Sequence, residues 1–278
     1  MGKTVTIRAA HWEATIDPAR GANPVAVRYR EKDILAPDRM DNTDPFLVGA
    51  PMLLPANRTA EGTFSFEGKT YHLPVNDPVS GAHLHGRLHR QRFAVTGLAP
   101  DRVELEYENR GEIYPFPFRI RVSYRVGEEG FRADYRIENR SRQAMPLSFG
   151  LHTTFVEQEW FRLPLAACQE RDERFLPTGR YVPLNEQERG YCTGSVSRGM
   201  KISGYYQAGG DTAWIGPHLC YQVRGFDHWV LYNAAGGAGI LCLEPQLGGV
   251  NALNDPKRCP KIPGNGTLSL GTRLFWEK

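Results

Sequence analysis

The sequence lacks the cysteine pattern of a protein that is held together by disulfides or by thiolate metal ligands. It has five cysteines, an odd number, and no C-x-x-C pair occurs among them. Disulfide-rich domains carry cysteines in even numbers, and structural zinc sites draw on closely spaced pairs. We therefore expect neither kind of site, and a reducing cytoplasm is the simplest compartment.

Long hydrophobic runs are missing as well. No apolar segment of the 278 residues approaches the roughly 20 residues that a membrane-spanning helix needs. The first residues, Met1 to Ile7, alternate as a strand does and lack the apolar centre of a secretory signal. The sequence predicts a cytoplasmic protein that does not enter a membrane.

Runs of one charge are also absent. The formal net charge is only +3 at pH 7, and the arginines are scattered singly along the chain. Proteins that bind nucleic acids concentrate lysine and arginine into runs or patches. We therefore expect no nucleic-acid partner.

Helical periodicity of useful length is scarce, whereas alternation with a period of two residues recurs. The clearest case is Phe118–Val126, where apolar residues alternate with arginines and a serine. A turn over Gly127–Gly130 follows, and Phe131–Ile137 alternates with charged residues in the same way. This pattern predicts a hairpin with one face in the core and the other in solvent.

Many further segments with strand character are separated by glycines and prolines, which indicates a β-sandwich or barrel. Residues 157–200 are the most irregular and are expected to form long connections with a short helical turn. No linker, charge run or repeat divides the chain, so one all-β domain over residues 1–278 is expected. The other predicted strands are Val5–Ala9, Pro24–Tyr29, Thr63–Phe66, Thr70–Leu73, Phe93–Thr96, Val103–Tyr107, Met145–Leu151, Thr212–Ile215, Trp229–Asn233, Ile240–Glu244 and Leu268–Trp276.

An acidic residue ends one of these strands. Ile240–Glu244 is an apolar run that glycines precede and Pro245 follows, and we expect the proline to end the strand. In a regular strand Ile240, Cys242 and Glu244 share one face. A carboxylate among apolar neighbours loses hydration, so its pKa should rise toward that of a useful general base. The alternative is an edge residue that faces water or pairs with an arginine.

Histidines could supply a metal site. His83 and His85 form a His-x-His pair, which would place both rings on one face of a strand, a spacing that metal sites on β folds use. Such a site would also need a third histidine and a carboxylate, for which His152 and Glu244 are candidates. The alternative is a loop with two solvated histidines.

His152 itself follows the predicted strand Met145–Leu151. It would lie on the same side as Gly150, whose missing side chain leaves room for a close approach. A lone histidine on a polar face is otherwise simply solvated. Phe155 and Trp160 come next, and aromatic faces are the surfaces on which the C–H groups of sugars stack.

Asn57-Arg58 follows the apolar segment Pro51–Pro55, which would hold the arginine rigidly at the wall of a pocket. A guanidinium group is suited to the fixed, bidentate recognition of oxygen atoms. The alternative is a structural ion pair.

Five motifs follow one another along the chain: Asn57-Arg58 with Gly62-Thr63-Phe64, Tyr71-His72-Leu73-Pro74-Val75-Asn76, Leu84-His85-Gly86, Gly150-Leu151-His152-Thr153-Thr154-Phe155, and Leu243-Glu244-Pro245-Gln246 with Asn251-Ala252-Leu253-Asn254. Their order resembles that in the aldose 1-epimerases, the galactose mutarotase family. Each motif alone is short, and the shared order makes the resemblance specific over most of the chain.

The resemblance implies a large antiparallel β-sandwich that interconverts the α and β anomers of a free sugar. It implies Glu244 as the general base and His152 as the general acid. Such a pair can remove the proton of the anomeric hydroxyl while protonating the ring oxygen, so no cofactor or metal is implied. The implied substrate-binding residues are Asn57, Arg58, His85 and Asp227, with Asp211 as the alternative acidic residue.

Two positions depart from the family pattern. Arg87 stands where a second glycine is common, and Thr153-Thr154 stand in place of an aromatic run of the Pro-Tyr-Phe type. Arg87 and Arg90 would suit a sugar-phosphate epimerase, and the departures would also fit a carbohydrate-binding protein without catalysis. A metal-dependent β-barrel enzyme that uses His83 and His85 is a further alternative. We expect a monomer or a homodimer.

Overall fold

A computed structural model gives the fold of residues 3–38 and 44–277. None of the helices in these ranges is long and apolar enough to cross a membrane. The α-helix is Glu186–Thr193 (α1), and the 3-10 helices are Pro45–Leu47, Leu88–Arg90, Ala234–Gly236 and Ala252–Asn254. The strands are β1 Val5–Ala9, β2 Trp12–Asp17, β3 Asn23–Tyr29, β4 Lys32–Asp33, β5 Met52–Leu53, β6 Arg58–Ala60, β7 Thr63–Phe66, β8 Lys69–His72, β9 Ala82–Leu84, β10 Ala94–Ala99, β11 Arg102–Asn109, β12 Phe118–Gly127, β13 Gly130–Asn139, β14 Met145–Pro146, β15 Phe149–Leu151, β16 Thr154–Val156, β17 Phe161–Arg162, β18 Leu165–Arg171, β19 Pro177–Val182, β20 Ser203–Ala208, β21 Thr212–Ile215, β22 Leu219–Arg224, β23 His228–Tyr232, β24 Ile240–Leu247, β25 Lys261–Ile262 and β26 Thr267–Trp276.

Two eight-stranded antiparallel sheets form the body of the molecule. The first has the strand order β10-β11-β12-β13-β26-β22-β21-β17, and the second has the order β19-β18-β20-β23-β24-β15-β5, with β16 also paired to β24. Their inner faces pack on each other: the ring centroids of Tyr135 and Phe149 lie 5.7 Å apart, and those of Tyr221 and Trp229 lie 6.0 Å apart. A smaller sheet, β1-β2-β3-β4, adds its buried side chains to the same core. The structure therefore confirms the predicted all-β sandwich.

The hairpin predicted from alternation is present as β12 and β13. The pairing runs from Phe118 opposite Asn139 to the turn glycines, and burial alternates along both strands. On the outer face Arg121 pairs with Glu106 and Glu138, each at 2.7 Å. Exposed ion pairs contribute little to stability, so the buried face is what holds the hairpin in the sandwich.

Strand β24 does not end at Pro245, as the sequence had suggested, but continues to Leu247. On one side Pro245 lies opposite Trp229 of β23. On the other side β16 pairs with the start of β24 and β15 pairs with its end. Pro245 has no N–H to donate, and it is tolerated inside the sheet because it lies between these two partner strands.

Two other predicted segments also differ from the structure. Met145–Leu151 is divided into β14 and β15, because the backbone between them bonds to loop residues instead of to a neighbouring strand. Residues 157–200 contain β17, β18, β19 and α1 rather than mainly long connections. The helix begins with a capping box between Asn185 and Glu188, a short-range signal that is independent of strand alternation.

Gly86 occupies a crowded position where the segment after β9 crosses the end of β5. It forms a bridge with Leu54, its φ is +62°, and a Cβ atom on it would lie 1.8 Å from the Leu54 carbonyl oxygen. Gly68, in the turn between β7 and β8, has a φ of +76°, but a Cβ there would meet nothing within 4 Å. The two glycines share a left-handed backbone and differ in their surroundings.

Gly86→Ala should destabilise the protein more than Gly68→Ala. Both substitutions place a Cβ on a left-handed residue, at a cost of about 1–2 kcal/mol each. Gly86→Ala also drives that atom into a carbonyl group, so we expect a total loss of about 4 kcal/mol or more in unfolding free energy. Urea unfolding of both variants measures the difference, and equal midpoints would contradict the steric account.

Candidate active site

A cavity of about 320 Å³ opens at the second sheet, near the ends of β9 and β15. Its volume is in the range of small-molecule sites. Its walls combine side chains from β20, β23 and β24 with residues from β6, β9 and several connecting segments outside that sheet. The lining residues are Asp44, Phe46, Asn57, Arg58, Leu84, His85, His152, Phe175, Ser203, Tyr205, Val230, Leu231, Tyr232 and Glu244.

Glu244 and His152 lie side by side in this cavity, with His152 Nε2 3.3 Å from Glu244 Oε1. They are only 2% and 5% exposed, respectively. Strand β24 presents Glu244 opposite Val230 of β23, and His152 comes from the break between β15 and β16. The break that accommodates Pro245 therefore also brings the imidazole next to the carboxyl group.

Burial controls the protonation of this pair. Loss of hydration raises the pKa of Glu244 to about 8, against the smaller opposing effects of a hydrogen bond from Gln246 and the charge of Arg58. Burial lowers the pKa of His152 to about 4. Near neutral pH the pair is thus a carboxylic acid and a neutral imidazole, with one group that can donate a proton and one that can accept it. The family resemblance implied that Glu244 and His152 share one proton as well, but that His152 carries it and Glu244 is ionised.

Gln246 holds the carboxyl group from the same face of β24. Its Nε2 donates to Glu244 Oε2 at 3.4 Å. Gly150 lies opposite Gln246 on β15, and a Cβ there would approach Gln246 Cγ to 2.9 Å. The space at Gly150 is therefore filled by the glutamine side chain, not by an approaching ligand as the sequence had suggested.

Arg58 is fixed at the cavity wall by several partners. Its Nε donates to Asp77 Oδ2 at 3.1 Å, and its Nη1 donates to Tyr205 Oη at 2.9 Å and to Asn57 Oδ1 at 3.3 Å. Asn57 is buried and has a left-handed φ of +54°. Arg58 therefore lies at the cavity wall and also forms the structural ion pair that was the alternative.

His85 joins the site from a left-handed position just after β9, with a φ of +62°. Its ring lies 5.4 Å from that of His152 and 4.6 Å from that of Phe46, measured between centroids. Burial, with smaller effects from the nearby charges of His152 and Arg58, holds the pKa of His85 well below its usual value. His85 is therefore a neutral hydrogen-bonding group at the cavity wall.

The His-x-His interpretation is wrong, because β9 ends at Leu84 and the two rings do not share a strand face. His83 Nδ1 instead donates to the carbonyl oxygen of Pro74 at 2.7 Å. Within residues 3–38 and 44–277, no three or more His, Cys, Asp or Glu side chains are grouped so as to hold a metal ion.

The two acidic candidates lie outside the cavity lining. Asp227 is 54% exposed at its side chain, and its Oδ1 accepts from His228 Nδ1 and from the Gly248 backbone N–H, both at 2.8 Å. Asp211 lines a separate surface groove that includes Arg132. Among the residues that the structure describes, the acidic residue that lines the cavity beside Glu244 is Asp44.

The aromatic residues that line the cavity are not the ones expected from the sequence. Phe155 packs in the core against Tyr221, and neither Phe155 nor Trp160 is among the lining residues. The cavity instead uses Phe46, Phe175, Tyr205 and Tyr232. Asp44-Pro45, a capping residue followed by proline at the first helical position, was the available signal for the turn that carries Phe46.

Thr153 and Thr154, which depart from the family pattern, lie next to the cavity and make hydrogen bonds outside it. Thr154 Oγ1 donates to the Phe46 carbonyl oxygen at 3.2 Å, and Phe46 contacts the rings of His85 and His152. Thr153 Oγ1 lies 2.9 Å from Tyr221 Oη in the core. Thr154 therefore supports Phe46 beside the histidines, Thr153 belongs to the core, and neither of them lines the cavity.

Sequence comparison connects this site to known proteins. The family model described as aldose 1-epimerase matches residues 4–230. The YihR protein of Escherichia coli K12, which is uncharacterized, is 26% identical over 185 residues, covering 64% of this chain and 60% of YihR. Human galactose mutarotase is 27% identical over 143 residues, covering 46% of this chain and 40% of that enzyme. The matched part is thus less than two thirds of the length of either relative.

Structural comparison agrees over the whole chain. A galactose mutarotase-like protein from Clostridium acetobutylicum superimposes with a TM-score of 0.92 and 22% identity, covering 100% of this chain and 96% of that one. An aldose epimerase homologue from C. elegans gives a TM-score of 0.83 with 15% identity, covering 100% and 99%. At these identities the superpositions establish the shared fold. With the match of the family model, they show that this chain belongs to the aldose 1-epimerase family.

Proposed function

We propose that this protein is an aldose 1-epimerase that interconverts the α and β anomers of a free aldose. The observation that carries the proposal is the buried pair of Glu244 and His152, which holds one transferable proton inside a sugar-sized cavity. A protein that only bound sugars would have no need of such a pair, because hydrogen bonding to hydroxyl groups does not require an ionisable group with a shifted pKa.

The reaction needs one proton acceptor and one proton donor at the same time. The acceptor takes the proton of the anomeric hydroxyl as the bond between C1 and the ring oxygen breaks, and the donor protonates that oxygen. The open-chain aldehyde rotates about its C1–C2 bond, and the reverse transfers close the ring on its other face. Glu244 and His152 supply one group of each kind in either distribution of their shared proton, so nothing is oxidised and no group is transferred.

The other predicted residues would hold the sugar during this exchange. Arg58 is already oriented by Asp77 and Tyr205, so it can offer its remaining N–H groups to hydroxyl oxygens without losing much conformational entropy. Asn57 and His85 line the same cavity and would bind further hydroxyls.

The charges around the cavity support a free sugar over a phosphorylated one. Arg58 is the one lysine or arginine among the described lining residues, and Asp77 already neutralises it at 3.1 Å. Arg87 and Arg90, which suggested a phosphate in the sequence, do not line the cavity. A phosphate there would find no uncompensated cation among the described lining residues.

Glu244→Gln should slow mutarotation by about 10²–10⁴-fold, because the amide keeps the size of the side chain but cannot exchange the proton. The optical rotation of a freshly dissolved pure anomer, followed across several aldoses after subtraction of the buffer rate, measures this. The melting temperature should not fall, because the variant no longer buries an ionisable carboxyl group.

Glu157→Gln is the matched control for this experiment. The Glu157 side chain is 5% exposed and bonds to Ser197 and Arg198 outside the cavity. It should retain the wild-type rate. A Glu244→Gln variant as fast as the control would refute the proposed role of the pair.

The kcat/KM for mutarotation should have a bell-shaped dependence on pH. At pH values below the pKa of about 4 for His152, both groups carry a proton and neither accepts one. At pH values above the pKa of about 8 for Glu244, neither carries a proton to donate. The two limbs of kcat/KM report these values for the coupled pair. A rate that stays level as the pH rises past the alkaline limb would contradict the assignment.

A further inference from the structure

We propose that Phe175 is a substrate-binding residue that sets the affinity for the sugar, both by packing on its non-reacting carbon atoms and by fixing Arg58. Phe175 lines the same cavity as Glu244 and His152, and no motif in the sequence had drawn attention to it. The inference rests on the proposed function and adds an aromatic wall to that site.

The backbone at Phe175 is held in an unfavourable conformation. Phe175 lies in the turn between β18 and β19 with a left-handed φ of +64°, which is rare for a bulky side chain. Asp172 closes this turn, because its Oδ1 accepts from the backbone N–H groups of Arg174 and Leu176 at 2.9 Å each. Strain of this kind persists where the surrounding structure fixes it, and it is concentrated at functional sites.

The ring of Phe175 packs against the guanidinium group that the site uses. Arg58 Cζ lies 5.2 Å from the centre of the Phe175 ring. The carbonyl oxygen of Phe175 accepts from Tyr205 Oη at 3.4 Å, and that hydroxyl in turn accepts from Arg58 Nη1 at 2.9 Å. Phe175 therefore holds Arg58 through its ring and, by way of Tyr205, through its backbone.

A second arginine anchors the same ring. Arg171 Cζ lies 5.1 Å from the centre of Phe175 and 4.8 Å from the centre of Tyr205. Arg171 is itself tied to β20, because its two terminal nitrogens donate to Ser203 Oγ at 3.1 Å and to the Ser203 carbonyl oxygen at 2.8 Å. The aromatic wall is thus fixed before a ligand arrives, which lowers the entropy cost of binding.

The position of Arg58 orients the sugar between the reacting pair and this wall. The charge of Arg58 influences the pKa of both Glu244 and His85, so Arg58 lies near the acid–base pair while it also contacts Phe175. An aldose whose anomeric carbon is at Glu244 and His152 extends past Arg58 and meets the Phe175 ring with its remaining carbons. Phe175 contributes to binding in the ground state and in the transition state alike, so its loss should raise KM rather than lower kcat.

The test compares variants of Phe175 by mutarotation kinetics and by calorimetric titration with D-galactose and D-glucose. Phe175→Ala should raise KM and Kd about tenfold and leave kcat within about threefold of wild type. Phe175→Tyr keeps the ring and should restore both constants. Arg174→Ala, on the neighbouring exposed residue of the same turn, is the control and should change neither.

Phe175→Gly separates binding from folding. Glycine adopts the left-handed conformation without strain, so this variant should melt within a few degrees of wild type and still show the raised KM. An unchanged KM in Phe175→Ala, or an equal rise in Arg174→Ala, would overturn the inference.

The inference and the proposed function fail in different ways. If the wild-type protein binds these sugars but does not accelerate mutarotation, the proposed catalytic function is wrong, and a tenfold rise in Kd for Phe175→Ala still supports the role of Phe175. If the wild-type protein neither binds nor turns over these sugars, both are wrong.

Discussion

The buried contact between a carboxyl group and an imidazole is the interaction on which the site depends. With His152 Nε2 and Glu244 Oε1 3.3 Å apart and both side chains almost fully buried, the ionised form of either group is costly. Desolvation therefore raises the pKa of Glu244 and lowers that of His152, so that the glutamate has the higher pKa of the two. The result is a neutral pair that remains ready both to donate and to accept a proton near neutral pH.

The sandwich makes this contact possible through an interruption in its own hydrogen bonding. Strand β24 has β23 as a continuous neighbour on one side and two short strands, β15 and β16, on the other. His152 lies in the break between the short strands, next to Glu244. A proline within β24 would be poorly tolerated in an unbroken sheet, and here Pro245 lies at the break between the two short strands. Around this break, Thr154 and Phe46 support the histidines, and Phe175 and Tyr205 support Arg58.

Much of the fold could be predicted from local sequence. The alternation in Phe118–Val126 and Phe131–Ile137 is repeated over enough residues to identify a hairpin, and the strands around Glu244 and His152 were placed near their observed positions. Glu244, His152, His85, Arg58 and Asn57 all line one cavity. They were identified because the order of short motifs along the chain resembles that of a known family, and not because their spacing shows that they meet.

The residues that were missed depend on long-range geometry. Phe175 reaches the cavity because a strained turn projects it there, and no periodicity indicates where a turn will point. Asp227 does not line the cavity, and its carboxylate bonds to its own neighbour His228 and to the Gly248 N–H. The His-x-His pair was misread because β9 ends one residue too early for the two rings to share a face.

The most direct test of the central claim is a ¹³C NMR titration of the glutamate side-chain carboxyl carbons, in wild type and in Glu244→Gln. The account predicts one carboxyl resonance that titrates with an apparent pKa of about 8 in wild type and is absent from the variant. If every glutamate carboxyl titrates near its ordinary value of about 4, Glu244 is ionised at neutral pH and the neutral, proton-sharing pair does not exist.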